Sequence, residues 1–370
     1  MKKKMVGWII AVVVVLILIL IPALSRQKQP QEIKIGAILP LTGQAASFGQ
    51  YVKEGIDLAL QEIGNGKLHI TYEDSKGQPQ QAVTAYQKLI SAEKVNIVVA
   101  ALSSVASALS PLAEKTDTIQ IYVDVVKPDV TDGKYKFRFY PEATQTAGFL
   151  ALFAYDKLSA RTSAILMIND DYGQASYSTF KQRFENLGGK VIWNESYEVN
   201  QSEFKNIIFK LKNLKQKPDV IYVNGYGPAF VNAIKTLRTF ISDIKIVADV
   251  ALGVPGNLSQ IKEQAEGAYF VDGKMSPEFI NLFKSHYGKS PTSDAGYAYT
   301  VIKIISEITK KYGTGTEQIR NGLKNLRNYP SVMGNITVKE DGNTNLEFVI
   351  MQVRDGIPTL VEFDAEKKIK

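Results

Sequence analysis

The sequence predicts an α/β protein built from two domains of similar design, preceded by a hydrophobic N-terminal helix. The chain has 370 residues, 45% of them hydrophobic and 22% charged, which is enough to bury the cores of about two domains of ~100–200 residues each. From residue 33 onward, short apolar runs rich in β-branched residues alternate with helical patterns, as is typical of strand–helix–strand units on a parallel sheet. This alternation restarts after a long helical pattern at residues 144–158.

The first half of the chain contains four alternations of strand and helix. The second helical pattern has a proline in its first turn, and the first carries Val52, Ile56, Ala59 and Leu60 on one face. Strands are predicted at residues 33–39, 68–72, 95–100 and 119–123, and helices at residues 49–63, 79–91 and 104–114.

The second half repeats this pattern and then adds a helical segment and two closing strands. A turn at residues 340–343 carries a hairpin signal between those last two strands. Strands are predicted at residues 163–168, 191–197, 220–223, 244–248, 268–271, 335–339 and 346–353, and helices at residues 174–187, 203–214, 229–240, 277–287, 294–311 and 317–326.

Residues 1–30 form a signal peptide or an N-terminal membrane anchor followed by a short polar linker. Residues 5–25 carry no charge and, at ~1.5 Å per residue in a helix, would span a hydrocarbon core of ~30 Å. Three lysines precede them, which predicts that this end stays cytoplasmic and the rest of the chain is exported. Small residues at Ala23 and Ser25 suit cleavage, whereas the length of the apolar run suits an uncleaved anchor, so both alternatives remain open.

Composition removes several classes of function. The chain has no cysteine and only two histidines, which excludes disulfides, thiolate sites and a cysteine nucleophile and argues against a multi-histidine metal centre. The net charge is +7, but five positive charges lie in the first 30 residues, so the remainder is nearly neutral and predicts no nucleic-acid partner.

The glycine and acidic motifs do not indicate an enzyme. Gly225 and Gly227 follow a strand like a dinucleotide fingerprint, but Phe230 occupies the place of the third glycine. The adjacent pair Asp170 and Asp171 ends a strand without histidines nearby, which is typical of a solvated loop. No cofactor is therefore expected, and an enzyme is the weaker hypothesis.

A series of short segments, in the same order along residues 33–355, resembles the type I periplasmic binding proteins of the leucine/isoleucine/valine-binding family. These are the substrate-binding proteins of branched-chain amino-acid ABC transporters. The segments are IGAILPLTG at 35–43, SFGQ at 47–50, GIDLA at 55–59, YEDSKG at 72–77, LSS at 102–104, FRF at 137–139, DDYGQ at 170–174, KPDV at 217–220, AEG at 265–267 and GNIT at 334–337.

The resemblance implies two α/β lobes, each a mostly parallel sheet flanked by helices, joined by three crossovers with the ligand held between them. The crossovers are expected near Pro141, Gly273 and Ser331. The expected divisions are residues 31–141 for the first part of lobe one, 142–273 for lobe two, 274–331 for helices bridging back to lobe one, and 332–370 for the last crossover and the closing strands.

The resemblance also implies ligand-binding residues. Ser103 and Ser104 occupy the turn that holds the ligand's carboxylate in the family, at a helix N-terminus whose positive end suits an anion. Asp249 matches the carboxylate that binds the ligand's ammonium group. Three aromatic residues at strand or loop ends are expected to form a wall around an apolar group: Phe48, Tyr172 and Tyr226.

One segment departs from the family pattern. Amino-acid-binding members carry a threonine after the fourth strand, whereas this chain has Val126 followed by Lys127. Val126 cannot orient the polar end of an amino acid, so an amide, a short peptide or an aromatic acid are alternatives. Lys127 could supply a charge for a carboxylate, or it could be a solvated loop residue.

The sequence therefore predicts an extracytoplasmic solute-binding protein of an ABC transporter, which closes two lobes on a small amino-acid-like or amphipathic molecule. Its expected partners are the permease and ATPase subunits, and the membrane through residues 5–25. Its expected location is the periplasm or the outer face of the cytoplasmic membrane. The alternative is a ligand-sensing ectodomain that acts with a separate signalling partner.

Overall fold

The computed structural model describes residues 32–64 and 68–363. The predicted signal or anchor segment lies outside the described residues. In the described ranges, no helix combines the length and the apolar character needed to cross a bilayer.

The first sheet is entirely parallel, and the helices that connect its strands cover its two faces. Residues of its central strands are fully buried, because β-branched and aliphatic side chains pack on both faces of the sheet. In chain order the elements are β1 (Ile33–Leu39), α1 (Ala46–Ile63), β2 (Leu68–Asp74), α2 (Pro79–Lys88) with a π-helical turn (Leu89–Glu93), β3 (Ile97–Ala101), α3 (Ser103–Thr116), β4 (Ile119–Val123) and β5 (Lys136–Arg138). The strand order is β2-β1-β3-β4-β5.

The second sheet repeats this design. Its elements are α4 (Ala143–Asp156), β6 (Thr162–Ile168), α5 (Asp171–Asn186), β7 (Lys190–Tyr197), α6 (Lys205–Lys212), β8 (Val220–Asn224), α7 (Gly227–Phe240), β9 (Lys245–Ala248), a 3-10 turn (Val250–Leu252), α8 (Pro255–Leu258) and β10 (Tyr269–Gly273). These five strands are parallel and lie in the order β7-β6-β8-β9-β10, which is the order of the first sheet with each strand replaced by its counterpart. We call each sheet with its helices a lobe.

The C-terminal part of the chain contacts both lobes. Its elements are α9 (Pro277–Tyr287), α10 (Ser293–Tyr312), α11 (Thr316–Lys324), β11 (Tyr329–Ser331), β12 (Gly334–Val338), β13 (Thr344–Asn345), β14 (Phe348–Arg354) and β15 (Ile357–Val361). Helix α10 packs on α1 so closely that a Cβ on Gly55 would lie 2.1 Å from the carbonyl oxygen of Ala295. Strands β14 and β15 instead extend the second sheet in antiparallel orientation beside β10.

The structure corrects the predicted hairpin. The turn at residues 340–343 joins β12 to β13, a strand of two residues, whereas the predicted strand partner at 346–353 corresponds to β14 in the second sheet. Strand β13 is too short to show an alternating pattern. Strands β5, β11, β13 and β15 and the short helix α8 were also not predicted as elements.

Candidate functional site

A cavity lies between the two lobes, at the carboxyl ends of the strands in both sheets. It contains about 690 Å³ of space not occupied by protein atoms, its mouth included. Seven of the eight predicted site residues line it: Phe48, Ser103, Ser104, Val126, Tyr172, Tyr226 and Asp249. The lining also includes Asp124, Tyr140, Asp170, Asp272 and Tyr297, which the sequence analysis did not predict as binding residues.

The N-terminus of α3 presents two serines with different roles. The Ser103 hydroxyl accepts hydrogen bonds from the backbone N–H groups of Val126 and Lys127, at 3.2 and 3.3 Å, and thereby fixes the loop after β4. The Ser104 hydroxyl lines the cavity and makes no hydrogen bond to any part of the chain that the structure describes. No side chain caps this helix, so its first N–H groups keep their hydrogen-bonding capacity for other acceptors.

Asp249 is held by three donors of lobe two. Its Oδ2 accepts hydrogen bonds from the Tyr172 hydroxyl at 2.6 Å, the Tyr222 hydroxyl at 2.7 Å and Asn224 Nδ2 at 2.6 Å. The residue is 4% exposed, and its Oδ1 has no partner among the described residues. Burial raises the pKa of Asp249, and the three hydrogen bonds act against that rise.

Asp170 is a half-buried helix cap, which corrects its interpretation as part of a solvated loop. Its side chain accepts a hydrogen bond from the backbone N–H of Gly173 at 2.8 Å at the start of α5, and another from the Tyr226 hydroxyl at 2.7 Å. Burial raises the pKa of Asp170, with the hydrogen bond from Tyr226 opposing it. The neighbouring Asp171 is also partly exposed to solvent.

Three further carboxylates, which we call the acidic trio, come from three different elements: Asp124 follows β4 of lobe one, Asp272 lies in β10 of lobe two, and Asp294 lies at the start of α10. All three raise the pKa of the Tyr140 hydroxyl, after the larger effect of its burial. In the described part of the chain, Asp124 Oδ2 has no hydrogen-bond partner. Asp124 and Asp272 line the cavity, and Asp294 begins the buried end of α10.

The trio is electrostatically unfavourable. Burial, and then the charge of Asp294, raises the pKa of Asp124; burial also raises the pKa of Asp294. The pKa of Asp272 rises to about 7, chiefly through burial. Each protonated form avoids the desolvation of a charge, so burial favours the protonated form of all three groups.

Sequence reasoning could have found two members of the trio. Asp272 follows directly after the predicted strand at residues 268–271. Asp124 follows directly after the predicted strand at residues 119–123, as Asp249 follows the strand at 244–248. Its backbone has a φ of 53°, a left-handed conformation that aspartate tolerates better than most residues, and its carbonyl accepts the N–H of Leu102 at 3.2 Å. Asp294 carries no comparable signal, because it meets the other two only when the chain folds back through α10.

Aromatic rings form the rest of the wall. Phe48 of lobe one meets Tyr226 of lobe two edge to face, with ring centroids 6.2 Å apart, and Tyr226 lies 6.1 Å from Tyr172. Tyr140 and Tyr297 make a second edge-to-face pair at 5.3 Å. The predicted aromatic residues are therefore brought together, and two unpredicted tyrosines join them.

Lys127 is the one predicted site residue that does not line the cavity. Its Nζ contacts Asp171 Oδ2 at 3.2 Å and the Ser107 hydroxyl at 3.1 Å, which links lobe one to the start of α5 in lobe two. The lobes also meet at Gly227, which has a φ of +68° and where an added Cβ would lie 2.6 Å from the carbonyl oxygen of Gln44. The structure is thus a closed form with the lobes in contact.

The cavity does not resemble a metal site. Across residues 32–64 and 68–363, no three side chains of His, Cys, Asp or Glu are grouped so that they could hold a metal ion. Three of its carboxylates, those of Asp170, Asp249 and Asp272, accept hydrogen bonds from tyrosine hydroxyls, an amide or backbone N–H groups. The arrangement suits binding of a small molecule by hydrogen bonds and ring contacts, without a chemical step.

Comparison with known proteins identifies the family. The family model described as periplasmic binding protein matches residues 32–357. The chain belongs to the periplasmic binding proteins. Its relatives place it with type I members of the branched-chain amino-acid-binding family, as the sequence predicted. Periplasmic binding proteins are solute-binding proteins and not enzymes, which confirms the prediction of a non-enzyme, and the family implies export to the periplasm.

Individual relatives are distant but cover most of the chain. Leu/Ile/Val-binding protein homolog 1 of Brucella abortus (strain 2308) is 23% identical over 86% of this chain and 90% of its own length. The leucine-binding protein LivK of Thermotoga maritima is 24% identical, has a TM-score of 0.84, and matches over 89% of this chain and 98% of its own. A solute-binding protein of R. palustris in complex with benzoate is 19% identical with a TM-score of 0.82, over 89% and 95%. These structures confirm the two-lobed α/β fold with mostly parallel sheets.

Proposed function

We propose that this periplasmic binding protein is the substrate-binding component of an ABC transporter and holds a small ligand by closing its two lobes. The observation that carries the proposal is the cavity whose walls come from the carboxyl edges of both sheets. Ligands bind at this edge in open α/β sheets. Because each lobe supplies part of the wall, a ligand that contacts both lobes favours the closed form.

The proposed roles of the predicted residues follow from their contacts. Ser104 and the first N–H groups of α3 would receive an acceptor of the ligand, and Asp249 would accept hydrogen bonds from its amino group through Oδ1. Phe48, Tyr172 and Tyr226 would cover its apolar part. The backbone N–H groups of Val126 and Lys127 would hold the loop after β4 through the Ser103 hydroxyl, and the Val126 side chain would form part of the wall.

The ligands of related proteins are a guide to size and not to identity. The Thermotoga maritima relative is a leucine-binding protein, and the R. palustris relative holds benzoate. Both are small molecules with an apolar part. By analogy we propose an amphipathic ligand of comparable size, with amino acids, amides and short peptides as the first candidates.

The proposal extends to cellular context. Residues 1–30 would direct export, with residues 5–25 either removed or retained as a membrane anchor, and the lobes would present ligand to permease and ATPase subunits. The lobe divisions would fall at residues 31–141, 142–273, 274–331 and 332–370, with crossovers near Pro141, Gly273 and Ser331.

Thermal unfolding with a ligand panel tests the proposal. A ligand of the native state at 100 times its Kd adds about 2.7 kcal/mol to the free energy of unfolding and raises Tm by several degrees. Small-angle X-ray scattering on the same samples reports closure of the two lobes.

Ser104→Ala should weaken binding of a ligand found in this panel by about 1–3 kcal/mol, whereas Ser285→Ala, on the exposed face of α9, should leave binding unchanged. A panel of amino acids, amides, peptides, amines and aromatic acids that changes neither Tm nor scattering would refute the proposal.

A further inference from the structure

The ionisable side chains that line the cavity are strongly biased towards acidic residues. Four carboxylates line it: Asp170, Asp249 and Asp272 from lobe two, and Asp124 from lobe one. The charge of Asp294 also acts on Asp124. Within the described ranges, no lysine, arginine or histidine belongs to the lining.

The nearest basic side chains are engaged elsewhere. Lys127 contacts Asp171 and Ser107 at the contact between the lobes. The fully buried Arg138 directs its guanidinium to Asn343 at 2.6 Å, to Glu142 at 2.6 Å and to the carbonyl of Lys127 at 2.5 Å. The N-terminus of α3 contributes about half a positive charge, which is small beside four carboxylates. The chain itself therefore offers the wall no full positive charge.

Two carboxylate oxygens of the wall also lack hydrogen-bond donors. Asp249 Oδ1, in a side chain that is 96% buried, and Asp124 Oδ2 are shielded from water and unpartnered in the described part of the protein. Buried carboxylate oxygens without donors are costly, and a donor that carries positive charge relieves the cost best. These two atoms belong to opposite lobes, so a ligand with donors at both ends could reach each of them.

We propose that the cavity takes a small protonated amine that has no carboxylate of its own, and that it prefers an aliphatic diamine. This inference rests on the proposed function but replaces its first candidate ligands, amino acids, amides and short peptides, with amines. One amino group donates to Asp249 Oδ1 and the other to Asp124 Oδ2, and the methylene chain packs between the rings of Phe48, Tyr172 and Tyr226. The ring faces add a favourable interaction with each ammonium group.

The same charges link binding to closure. Closing the lobes brings carboxylates from both sides together without a protein cation between them, so repulsion and desolvation oppose the closed form in the absence of ligand. A diamine between them neutralises both sides at once. An anionic ligand would add to the repulsion, and a zwitterion would remove only part of it.

A series of four-carbon compounds tests the inference, because its members differ in charge but hardly in length. The probes are 1,4-diaminobutane, butylamine, 4-aminobutanoate and butanoate, measured by calorimetry and thermal unfolding on the whole protein at low ionic strength. We expect affinity to fall in that order. We also expect tetramethylammonium, which is charged but has no N–H donor, to bind more weakly than butylamine.

Matched variants locate the interaction. Asp249→Asn and Asp124→Asn should each lower diamine affinity by roughly 10- to 100-fold, the effect of losing a hydrogen bond to a charged group. Asp124→Asn is informative even if Asp249→Asn folds poorly, because Asp124 Oδ2 makes no hydrogen bond that the change could break. Glu185→Gln, on the exposed face of α5, removes one negative charge outside the cavity and should leave affinity unchanged.

The outcomes separate this inference from the proposed function. The predicted order, together with losses in both aspartate variants, supports it. If 4-aminobutanoate, butanoate, leucine or benzoate binds at least as tightly as the diamine, the inference is wrong while the solute-binding function stands. If none of the probes, nor any member of the wider panel, raises Tm or compacts the protein, both are wrong.

Discussion

Asp124 and Asp249 occupy equivalent positions in the two lobes, but their surroundings differ. Each is the first residue after the fourth strand of a sheet with the same strand order, β4 in one lobe and β9 in the other. Asp249 Oδ2 receives three hydrogen bonds from side chains of its own lobe. Asp124 Oδ2 receives none from the described residues, and its nearest charged neighbour is another carboxylate.

This difference indicates how one strand order can give two unlike walls. In lobe two, Tyr172 of α5 and Tyr222 and Asn224 of β8 fix Asp249 before any ligand arrives, so this wall is preorganised. In lobe one, Asp124 Oδ2 has no such donors among the described residues, so this wall depends on a ligand or on protons. We expect lobe two to set ligand orientation and the trio to set which ligand charge is accepted.

The largest expected effect is the difference in the free energy of unfolding between variants that lack the Asp249 or the Asp124 carboxylate. Asp249→Ala leaves three buried donors without an acceptor and should lower the free energy of unfolding by about 3 kcal/mol. Asp124→Ala removes an unpartnered buried carboxylate and should change it by less than about 1 kcal/mol, or raise it. Urea unfolding of both variants without ligand measures the contrast, and equal losses would show that the two walls are built alike.

The acidic trio should give the ligand-free protein an unusual pH dependence. The pKa of Asp272 is about 7 in the folded state and 3.8 in its absence, so the folded protein holds the proton more tightly. The free energy of unfolding should therefore fall as pH rises from about 4 through 7, by up to about 1 kcal/mol per pH unit. Burial of Asp124, Asp294 and Asp249 acts with the same sign.

Asp272→Asn should flatten this slope between pH 5 and 8 in urea unfolding. The groups that face Asp272 are Asp294, whose charge raises its pKa, and Ser293 and the Gly273 N–H, which lower it. Carboxyl groups with a lowered pKa, such as those of Asp74 and Asp219, stabilise the folded state at neutral pH and lose this contribution to the free energy of unfolding only at lower pH. If the pH dependence of the free energy of unfolding is unchanged in the variant, the idea that the acidic trio lacks compensating positive charge would be contradicted.

A smaller effect is expected at Tyr226, whose hydroxyl donates to Asp170 at 2.7 Å. Tyr226→Phe keeps the ring contacts to Phe48 and Tyr172 but leaves Asp170 with one donor fewer. We expect a loss of about 1 kcal/mol in the free energy of unfolding. Tyr312→Phe, on an exposed tyrosine of α10, is the control. No loss at Tyr226 would mean that the lobe-two wall does not depend on its hydrogen bonds.

The smallest effect is expected from the contact between Lys127 and Asp171. Both side chains are partly exposed, at 38% and 43%, so the pair should contribute less than about 0.5 kcal/mol. Lys127→Met should change ligand affinity by less than about threefold. A loss of tenfold or more by calorimetry would place Lys127 in the site itself.

The sequence predicted the strand ends better than the contacts among them. Alternating strands and helices placed Ser104, Tyr172, Tyr226 and Asp249 at the carboxyl edges of the sheets, and the structure brings these residues to one cavity. The use of the Ser103 hydroxyl could not be predicted, because its partners belong to a loop more than twenty residues later. The sequence pattern predicts the position of a residue along a strand or helix, whereas its side-chain contacts depend on tertiary packing.

The acidic trio shows the same limit in another way. Asp272 lies in β10 and Asp294 in α10, and the chain between them passes through α9 before the two carboxylates meet near Asp124. No local spacing encodes that meeting. The interpretation of Asp170 as part of a solvated loop was wrong for a related reason, since its hydrogen-bond partner Tyr226 comes from a different strand end.

Gly227 sets a geometric limit on the whole molecule. Its hydrogen faces the carbonyl of Gln44 where any other residue would place a methyl or larger group. The absence of a Cβ at this position thus limits how closely the two lobes can approach, and hence how small a ligand can still contact both of them. A larger residue here would change the distance between the closed lobes without changing the side chains that line the cavity.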